Sequence, residues 1–233
     1  MMKKNVLFLI ILFFVGESIY AQVSKDKALG EFSKLVVIGR YDTDVKQSDR
    51  FHVRYVYEDE EVEEDKIEFS YSDEELTIRY KGGAFNDYDL KFVVEVPSLD
   101  YIEAKHGATI RVSENFDFNN KPLELQSKSG GKIRCSVAET PYLIAGVNKG
   151  GSVRVTGKAV KAKYEISAGG TIGAVGLEAK IVDAKVSMGG EIMCYASELL
   201  NAKVTSGGTI SYKGDAKVKE KVRLGGDIRI LRK

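Results

Sequence analysis

The sequence has few of the residues that build catalytic or metal sites, and it has no tryptophan. Two histidines, two cysteines and three prolines are spread over 233 residues. No cluster has the spacing of zinc ligands, and no Ser-His-Asp arrangement, cysteine pair or phosphate-binding loop is present. The sequence therefore predicts no catalytic residue, no metal site and no cofactor, and we expect a protein that is not an enzyme.

Long hydrophobic runs are also lacking, except for one at the start of the chain. Lys3 and Lys4 precede the apolar run Val6–Val15, and the small residue Ala21 follows soon after. Ten apolar residues are too few to cross a bilayer, which needs about 20. A basic start, a short apolar stretch and a small residue are typical of a secretory signal peptide. We therefore predict a signal peptide over residues 1–21 and an exported protein, either periplasmic or at the outer cell surface or secreted.

Net charge is nearly absent, but the charges are unevenly distributed. Residues 22–100 contain 11 Lys/Arg and 20 Asp/Glu, a net of −9, whereas residues 101–233 contain 22 and 13, a net of +9. This asymmetry indicates charged partners or head-to-tail self-association. The acidic run 58–65 lacks the spaced pattern and central glycine of a calcium loop, so a solvated turn between strands is the better interpretation.

Glycine, by contrast, is abundant and periodic. Six Gly-Gly doublets recur at steps of 18–20 residues, and Gly107-Ala108 is a seventh, imperfect copy. The doublets are Gly130-Gly131, Gly150-Gly151, Gly169-Gly170, Gly189-Gly190, Gly207-Gly208 and Gly225-Gly226. Glycine favours sharp corners because it adopts positive φ at little cost. Ala108 in the first copy predicts that the second position of the doublet is the less demanding one.

The residues after each doublet alternate between apolar and polar. Two positions after the second glycine stand Ile110, Ile133, Val153, Ile172, Ile192, Ile210 and Ile228. Period-2 alternation indicates a strand with one buried face. Each repeat is thus predicted to be a strand, a Gly-Gly corner, another strand and a looser return. Repeats of this size favour an all-β fold, a β-helix (β-solenoid) with 18–20-residue coils over residues 101–233, above the alternative of a β-sandwich or barrel.

The cysteines fit this arrangement as free thiols. Cys135 and Cys194 hold the same repeat position three coils apart, which predicts a separation of about 14 Å at about 4.8 Å per strand. A disulfide requires Cα atoms within about 7 Å. We therefore expect two buried thiols that pack as small hydrophobes.

Residues 22–100 form an acidic, strand-rich part that lacks the periodic glycine doublets. Its alternating and β-branched segments predict strands separated by turns. Two interpretations stay open: irregular first coils of the same solenoid, or a small β-domain that caps its end. Some cap is expected, because an uncovered first coil would present an open strand edge.

Several segments resemble a known family. They are FSKLVVIGRYDTDVKQSD from Phe32, LTIRY from Leu76, VVEVPSLDYIEAKHGATIRV from Val93, and the trailing Gly-Gly-x-Ile repeats. With the exported start, they resemble the auto-transporter adhesin "head GIN" family, exported proteins common in Bacteroidetes. The resemblance covers nearly all of the chain after residue 21. It implies a right-handed, single-stranded β-helix with an adhesive role at the cell envelope, and it carries over no binding residue.

The most suggestive surface feature is basic. Arg111, Arg134 and Arg154 recur three positions after the second glycine in successive coils, so stacking would align them about 4.8 Å apart. Lys105, Lys128, Lys132 and Lys149 lie near the same corner in sequence. Such a row suits the phosphates or carboxylates of an anionic polysaccharide. The alternative is that these cations only keep a flat strand face soluble and block edge pairing.

The functional expectation is an envelope-associated binding or adhesion module that recognises an anionic glycan or a surface protein. A structural or self-associating envelope component is the alternative, and a carbohydrate-active enzyme would need an acidic cleft that the sequence does not predict. Nucleic acid is not an expected partner, because stacking aromatics are not interleaved with the basic row.

Overall fold

The structure is a computed structural model that describes residues 23–57, 62–82, 89–114 and 116–231. The predicted signal peptide lies outside these residues. The described part of the chain contains no α-helix and no helix that could span a membrane. Its strands are β1 Val23–Ala28, β2 Lys34–Ile38, β3 Asp42–Gln47, β4 His52–Tyr57, β5 Ile67–Ser72, β6 Glu75–Tyr80, β7 Leu90–Val96, β8 Tyr101–Lys105, β9 Thr109–Val112, β10 Leu123–Lys128, β11 Lys132–Asn148, β12 Ser152–Ala168, β13 Thr171–Met188, β14 Glu191–Ser206, β15 Thr209–Lys213, β16 Lys217–Val222 and β17 Asp227–Ile230.

The strands stack in parallel as an all-β solenoid of about six turns, which confirms the predicted fold class. Two faces carry most of the pairing. Face one contains β2, β6, β8, β10, β16 and the second halves of β11–β14; face two contains β3, β7, β9, β15, β17 and the first halves of β11–β14.

The predicted looser return between the faces is wrong for the central coils. β11–β14 are each continuous for 16–18 residues, and the chain turns within them where the register shifts, as between Val137 and Thr140. The return is therefore a third strand segment, because parallel neighbours on both sides satisfy its backbone groups.

The predicted apolar column lies inside the coil. Ile110, Ile133, Val153, Ile172, Ile192 and Ile210 are directly paired from coil to coil and at most 2% exposed. Burying a side chain of this size contributes about 1.5–3 kcal/mol. Ile228 of the last coil is only partly buried. The column is therefore a central stabilising element that ends at β17.

The two glycines of a doublet make different demands, and the expectation drawn from Ala108 is wrong. At Gly150 φ is +78°, and a Cβ would meet no atom within 4 Å. At Gly151 φ is +94°, and a Cβ would lie 2.3 Å from the carbonyl oxygen of Gly131 in the preceding coil. Ala108 is accommodated because the left-handed residues at its corner are His106 and Gly107 instead.

The coils of the N-terminal part are stacked out of chain order. β2 pairs in parallel with β6 on one side and β8 on the other, and β3 pairs in the same way with β7 and β9. The coil of residues 34–47 therefore lies between the coils of residues 75–96 and 101–112. One hydrophobic core runs through all of them and into the glycine repeats.

Antiparallel strands close the N-terminal end of the stack. β4 pairs with β7, β1 pairs with β4, and β5 pairs with β6, all antiparallel. An aromatic cluster lies beneath them: the ring of Phe92 is 5.1 Å from Tyr41 and 6.2 Å from both Tyr55 and Phe69. Features of both open interpretations are thus present, irregular coils and a cap of antiparallel strands.

Both cysteines are buried free thiols, as predicted. Cys135 aligns with Val155 of the following coil, and Cys194 aligns with Ala174 of the preceding coil. Burial raises the pKa of each thiol to about 12. They therefore pack as small apolar groups and have little nucleophilic character at neutral pH.

Candidate anion-binding site

The three predicted arginines form a continuous row on face two. Arg111 of β9 pairs with Arg134 of β11, which pairs with Arg154 of β12. Each side chain points outward because the residues on either side of it, such as Ile133 and Cys135, point into the core. We call Arg111, Arg134 and Arg154 the arginine ladder.

The members of the arginine ladder differ in their neighbours. Arg111 Nη2 lies 2.9 Å from Asp42 Oδ2, and its Nη1 lies 3.7 Å from Asp44 Oδ1. Asp44 of β3 occupies the position next to Arg111 in the same row. Arg134 and Arg154 are exposed and have no ion pair or hydrogen-bonded acceptor in the described residues. The unneutralised positive charge of the ladder therefore lies on these two residues.

The arginine ladder lines a groove of about 330 Å³. Lys132 and the hydroxyl residues Thr109, Ser152 and Thr171 line it as well. These residues share one position, directly after the glycine doublet, and are paired from coil to coil. Guanidinium groups bind carboxylates and phosphates through two parallel hydrogen bonds, and hydroxyls add further donors and acceptors. The groove therefore presents a row of hydrogen-bond donors of the kind that carboxylates and phosphates accept from.

One end of the groove is open because the next residue in the row has no side chain. Arg154 pairs with Gly173, which pairs with Met193, and both line the groove. A Cβ on Gly173 would come no closer than 3.9 Å to Arg154 Nε. The guanidinium of Arg154 thus has free space beside it.

The structure separates the four predicted lysines into two groups. Lys132 lines the groove, and Lys149 is exposed at the next corner with φ +59°. Lys105 and Lys128 lie on face one, where their Nζ atoms are 2.9 and 3.1 Å from Glu103 Oε1. The stack thus brings only Lys132 into the arginine groove, and Lys105 and Lys128 neutralise a carboxylate elsewhere.

Glu103 is only 3% exposed although it points away from the core. Burial is the largest influence on this carboxyl and opposes its ionisation, but hydrogen bonds from Lys105, Tyr101 and Lys128 outweigh burial and lower its pKa. Glu103 is therefore a charged anchor for the side chains around it.

Neither a metal site nor a calcium site in the acidic run is found among the described residues. No group of three or more His, Cys, Asp and Glu residues in the described ranges is arranged to hold a metal ion. Residues 58–61 of the acidic run lie outside those ranges. Glu64, at its end, accepts a hydrogen bond from Tyr55 at 2.9 Å and lies 3.4 Å from Lys25. The described part of the run is thus engaged in local contacts.

Sequence reasoning missed two features of the groove. The hydroxyls were detectable, because the position after the doublet reads Thr, Lys, Ser, Thr, Glu, Thr and Asp along the repeats. Asp42 and Asp44 were not detectable as partners of Arg111, because the insertion of β3 beside β9 has no sequence signal.

The sequence model of one family, described as "Putative auto-transporter adhesin, head GIN domain", matches residues 31–216. Three solved structures have the same fold. The crystal structure of a putative adhesin from Bacteroides fragilis has a TM-score of 0.81 and 21% identity, and the match covers 91% of this chain and 97% of that one. A putative adhesin from Parabacteroides merdae has a TM-score of 0.71, 20% identity and coverages of 91% and 96%.

A putative lipid binding protein from Parabacteroides distasonis has a TM-score of 0.66, 18% identity and coverages of 91% and 97%. At these identities the structural likenesses establish the fold alone. No curated protein matches the chain.

Proposed function

Because the chain belongs to the head GIN family of auto-transporter adhesins, we propose that it is an exported, non-catalytic adhesion module that binds an anionic polysaccharide of the cell envelope along the arginine ladder. The family supports the general part of this proposal, an adhesion or binding role with surface partners. The ligand class is inferred from the groove.

One observation carries the ligand class: Arg134 and Arg154 are adjacent, exposed and without an acidic partner in the described residues. Other cations are paired with acidic side chains, as Arg111 is with Asp42 on face two and Lys163 is with Glu165 at 3.1 Å on face one. Two neighbouring guanidinium groups at strand spacing suit anions that repeat along a polymer, because each coil presents one further donor.

The test is binding to an array of anionic bacterial polysaccharides that carry uronate, phosphate or sulfate groups. The double variant Arg134→Glu/Arg154→Glu is compared with Lys217→Glu/Lys219→Glu, which makes the same charge change on exposed residues of β16. We expect the arginine variant to bind at least about tenfold more weakly, because a charged hydrogen bond contributes about 1.5–3 kcal/mol.

The matched lysine variant should bind like the wild type, and wild-type binding should weaken with added salt. Equal binding by the wild type and the arginine variant would remove the ladder from the proposal. Wild-type binding to immobilised envelope proteins, and to no polysaccharide of the array, would replace the glycan by a protein partner.

A further inference from the structure

A second groove, on face one, has a different chemical character from the arginine groove. Its volume is about 390 Å³. The apolar part of its wall consists of Tyr101, Pro122, Leu123, Tyr142 and Ile144. Its charged residues are Lys34, Asp100, Lys121 and Glu124. An apolar wall with a few convergent polar groups is typical of small-ligand sites of this size.

The apolar wall occupies positions where a solvated strand face normally carries polar residues. Tyr101 pairs with Glu124, which pairs with Ile144, so the three form one outward row of face one. Tyr142 stands two residues before Ile144 on β11 and therefore shares its side of the strand. Both tyrosines and Ile144 are half-buried. Two aromatic rings and an aliphatic side chain thus line one recess on the outside of the coil.

Internal hydrogen bonds hold the walls of this groove. The buried hydroxyl of Thr140 donates to the carbonyl oxygen of Lys121 at 2.7 Å and accepts from the Tyr142 backbone N–H at 3.3 Å. Tyr101 donates its hydroxyl to the buried Glu103 carboxylate. The segment before Pro122 and the ring of Tyr101 are thereby fixed without any ligand.

The polar groups of the groove keep free capacity for hydrogen bonds. Gln126 Nε2 donates to Glu124 Oε1 at 2.8 Å, which orients the carboxylate. Glu124 Oε2 has no partner in the described part of the chain. The two lysines and two carboxylates that line the groove carry formal charges that cancel, in contrast to the arginine groove. A groove with an apolar wall, hydrogen-bonding groups and no net charge suits an uncharged ligand that has both an apolar face and hydroxyl groups.

We propose that this groove binds one ring of a neutral sugar. The C–H face of the ring packs on Tyr142 and Tyr101, and its hydroxyls donate to Glu124 and Asp100 and accept from Lys34. Tyrosine suits this role because it combines a large apolar face with a polar end. The site is independent of the arginine ladder, since it is built by face one and shares no residue with the other groove.

The test is saturation-transfer NMR with the methyl glycosides of glucose, galactose, mannose and N-acetylglucosamine. We expect transfer to at least one glycoside in the wild type and at least tenfold weaker binding in Tyr142→Ala. Tyr195→Ala is the matched control, because Tyr195 is a half-buried tyrosine of β14 that does not line the groove, and it should bind like the wild type.

Glu124→Gln is the second variant, since it keeps the shape of the side chain but removes its charge and replaces one acceptor oxygen by a donor. We expect about threefold to tenfold weaker binding. It decides the question if Tyr142→Ala does not fold. Arg134→Glu/Arg154→Glu should bind the glycoside normally, so failure of the ladder proposal and failure of this one are distinguishable. Absence of transfer to all four glycosides, or equal transfer in Tyr142→Ala, Glu124→Gln and the wild type, would overturn the proposal.

Discussion

The two ends of the solenoid are finished in opposite ways. At the N-terminal end, the antiparallel strands β1, β4 and β5 cover the outer coils and an aromatic cluster. At the C-terminal end, Val222, Leu224 and Ile230 are 45, 77 and 63% exposed. Lysines alternate along β16, and Glu220 stands at the position that aligns with the buried Ala202. The N-terminal end is thus covered by antiparallel strands. At the C-terminal end, the charged side chains of β16 oppose pairing with a further strand.

The two regions also differ in the stacking order of their coils and in the residues that fill their cores. In residues 123–231 each coil stacks on the one before it, and one glycine doublet recurs per coil. In residues 34–112 the coils interleave, and the column that contains Ile110 continues through Thr43 to Phe92 of the aromatic cluster. One solenoid thus contains both sequentially stacked and interleaved coils, because the strand hydrogen bonding continues from coil to coil in both regions.

The largest expected effect is a loss of folding stability at the second position of the doublet. This position is Ala108 in the N-terminal region and glycine in every later repeat. We expect Gly151→Ala to lower the free energy of unfolding by about 4 kcal/mol or more, because it combines a left-handed φ with a Cβ 2.3 Å from a backbone oxygen. Gly150→Ala should lower it by only about 1–2 kcal/mol, since its Cβ meets open space. Ala108→Gly should change it by about 1 kcal/mol or less.

Urea denaturation followed by circular dichroism measures all three variants. Equal losses for Gly150→Ala and Gly151→Ala would mean that the close approach of successive corners does not control stability.

A smaller effect separates the middle of the stack from its open end. Ile172 is fully buried, so Ile172→Ala should lower the free energy of unfolding by about 3 kcal/mol through lost burial and a cavity. Ile228 is only partly buried in the last coil, and Ile228→Ala should lower it by less than about 1 kcal/mol. Thermal unfolding midpoints of the two variants provide the measurement. A similar shift in both would show that the last coil is covered in solution, for example by a second copy of the chain.

The smallest expected change in the free energy of unfolding comes from removing a buried tyrosine hydroxyl. We expect this change to have opposite signs in the two regions. In the glycine repeats, Tyr164 is fully buried and its hydroxyl has no hydrogen-bond partner among the described residues. Burial raises the pKa of this hydroxyl well above its ordinary value. In the N-terminal region, the Tyr41 hydroxyl donates to the carbonyl oxygens of Ile38 and Ile78.

We therefore expect Tyr164→Phe to raise the free energy of unfolding by about 1 kcal/mol and Tyr41→Phe to lower it by about 1 kcal/mol. Parallel urea titrations of both variants check the two signs. A loss of stability in Tyr164→Phe would indicate that a water molecule or another group bonds this hydroxyl in solution.

The sequence predicted the regular half of the molecule well, because its physical constraints repeat. The aliphatic column, the corners, the free thiols and the row of arginines all follow from one residue type recurring at one position. The role of the second glycine was misjudged, because Ala108 comes from a corner with different left-handed residues. The interleaving of β2 and β3 was beyond prediction, since those strands carry no doublet that marks their neighbours. For the same reason, the pairing of Arg111 with Asp42 emerged only from the structure.

The interleaved coil also constrains the order in which the protein is able to fold as the chain is synthesised. Residues 34–47 are synthesised early, but their strand partners on both sides belong to residues 75–112. That coil therefore has no parallel neighbour until residues 75–96 have been made, and it lacks its second neighbour until residue 112 has been made. Loop closure over these distances slows its formation. Every later coil needs only its predecessor and adds in the order of synthesis. The arginine ladder therefore starts beside the coil of residues 34–47, and that coil obtains both of its neighbours from later parts of the chain.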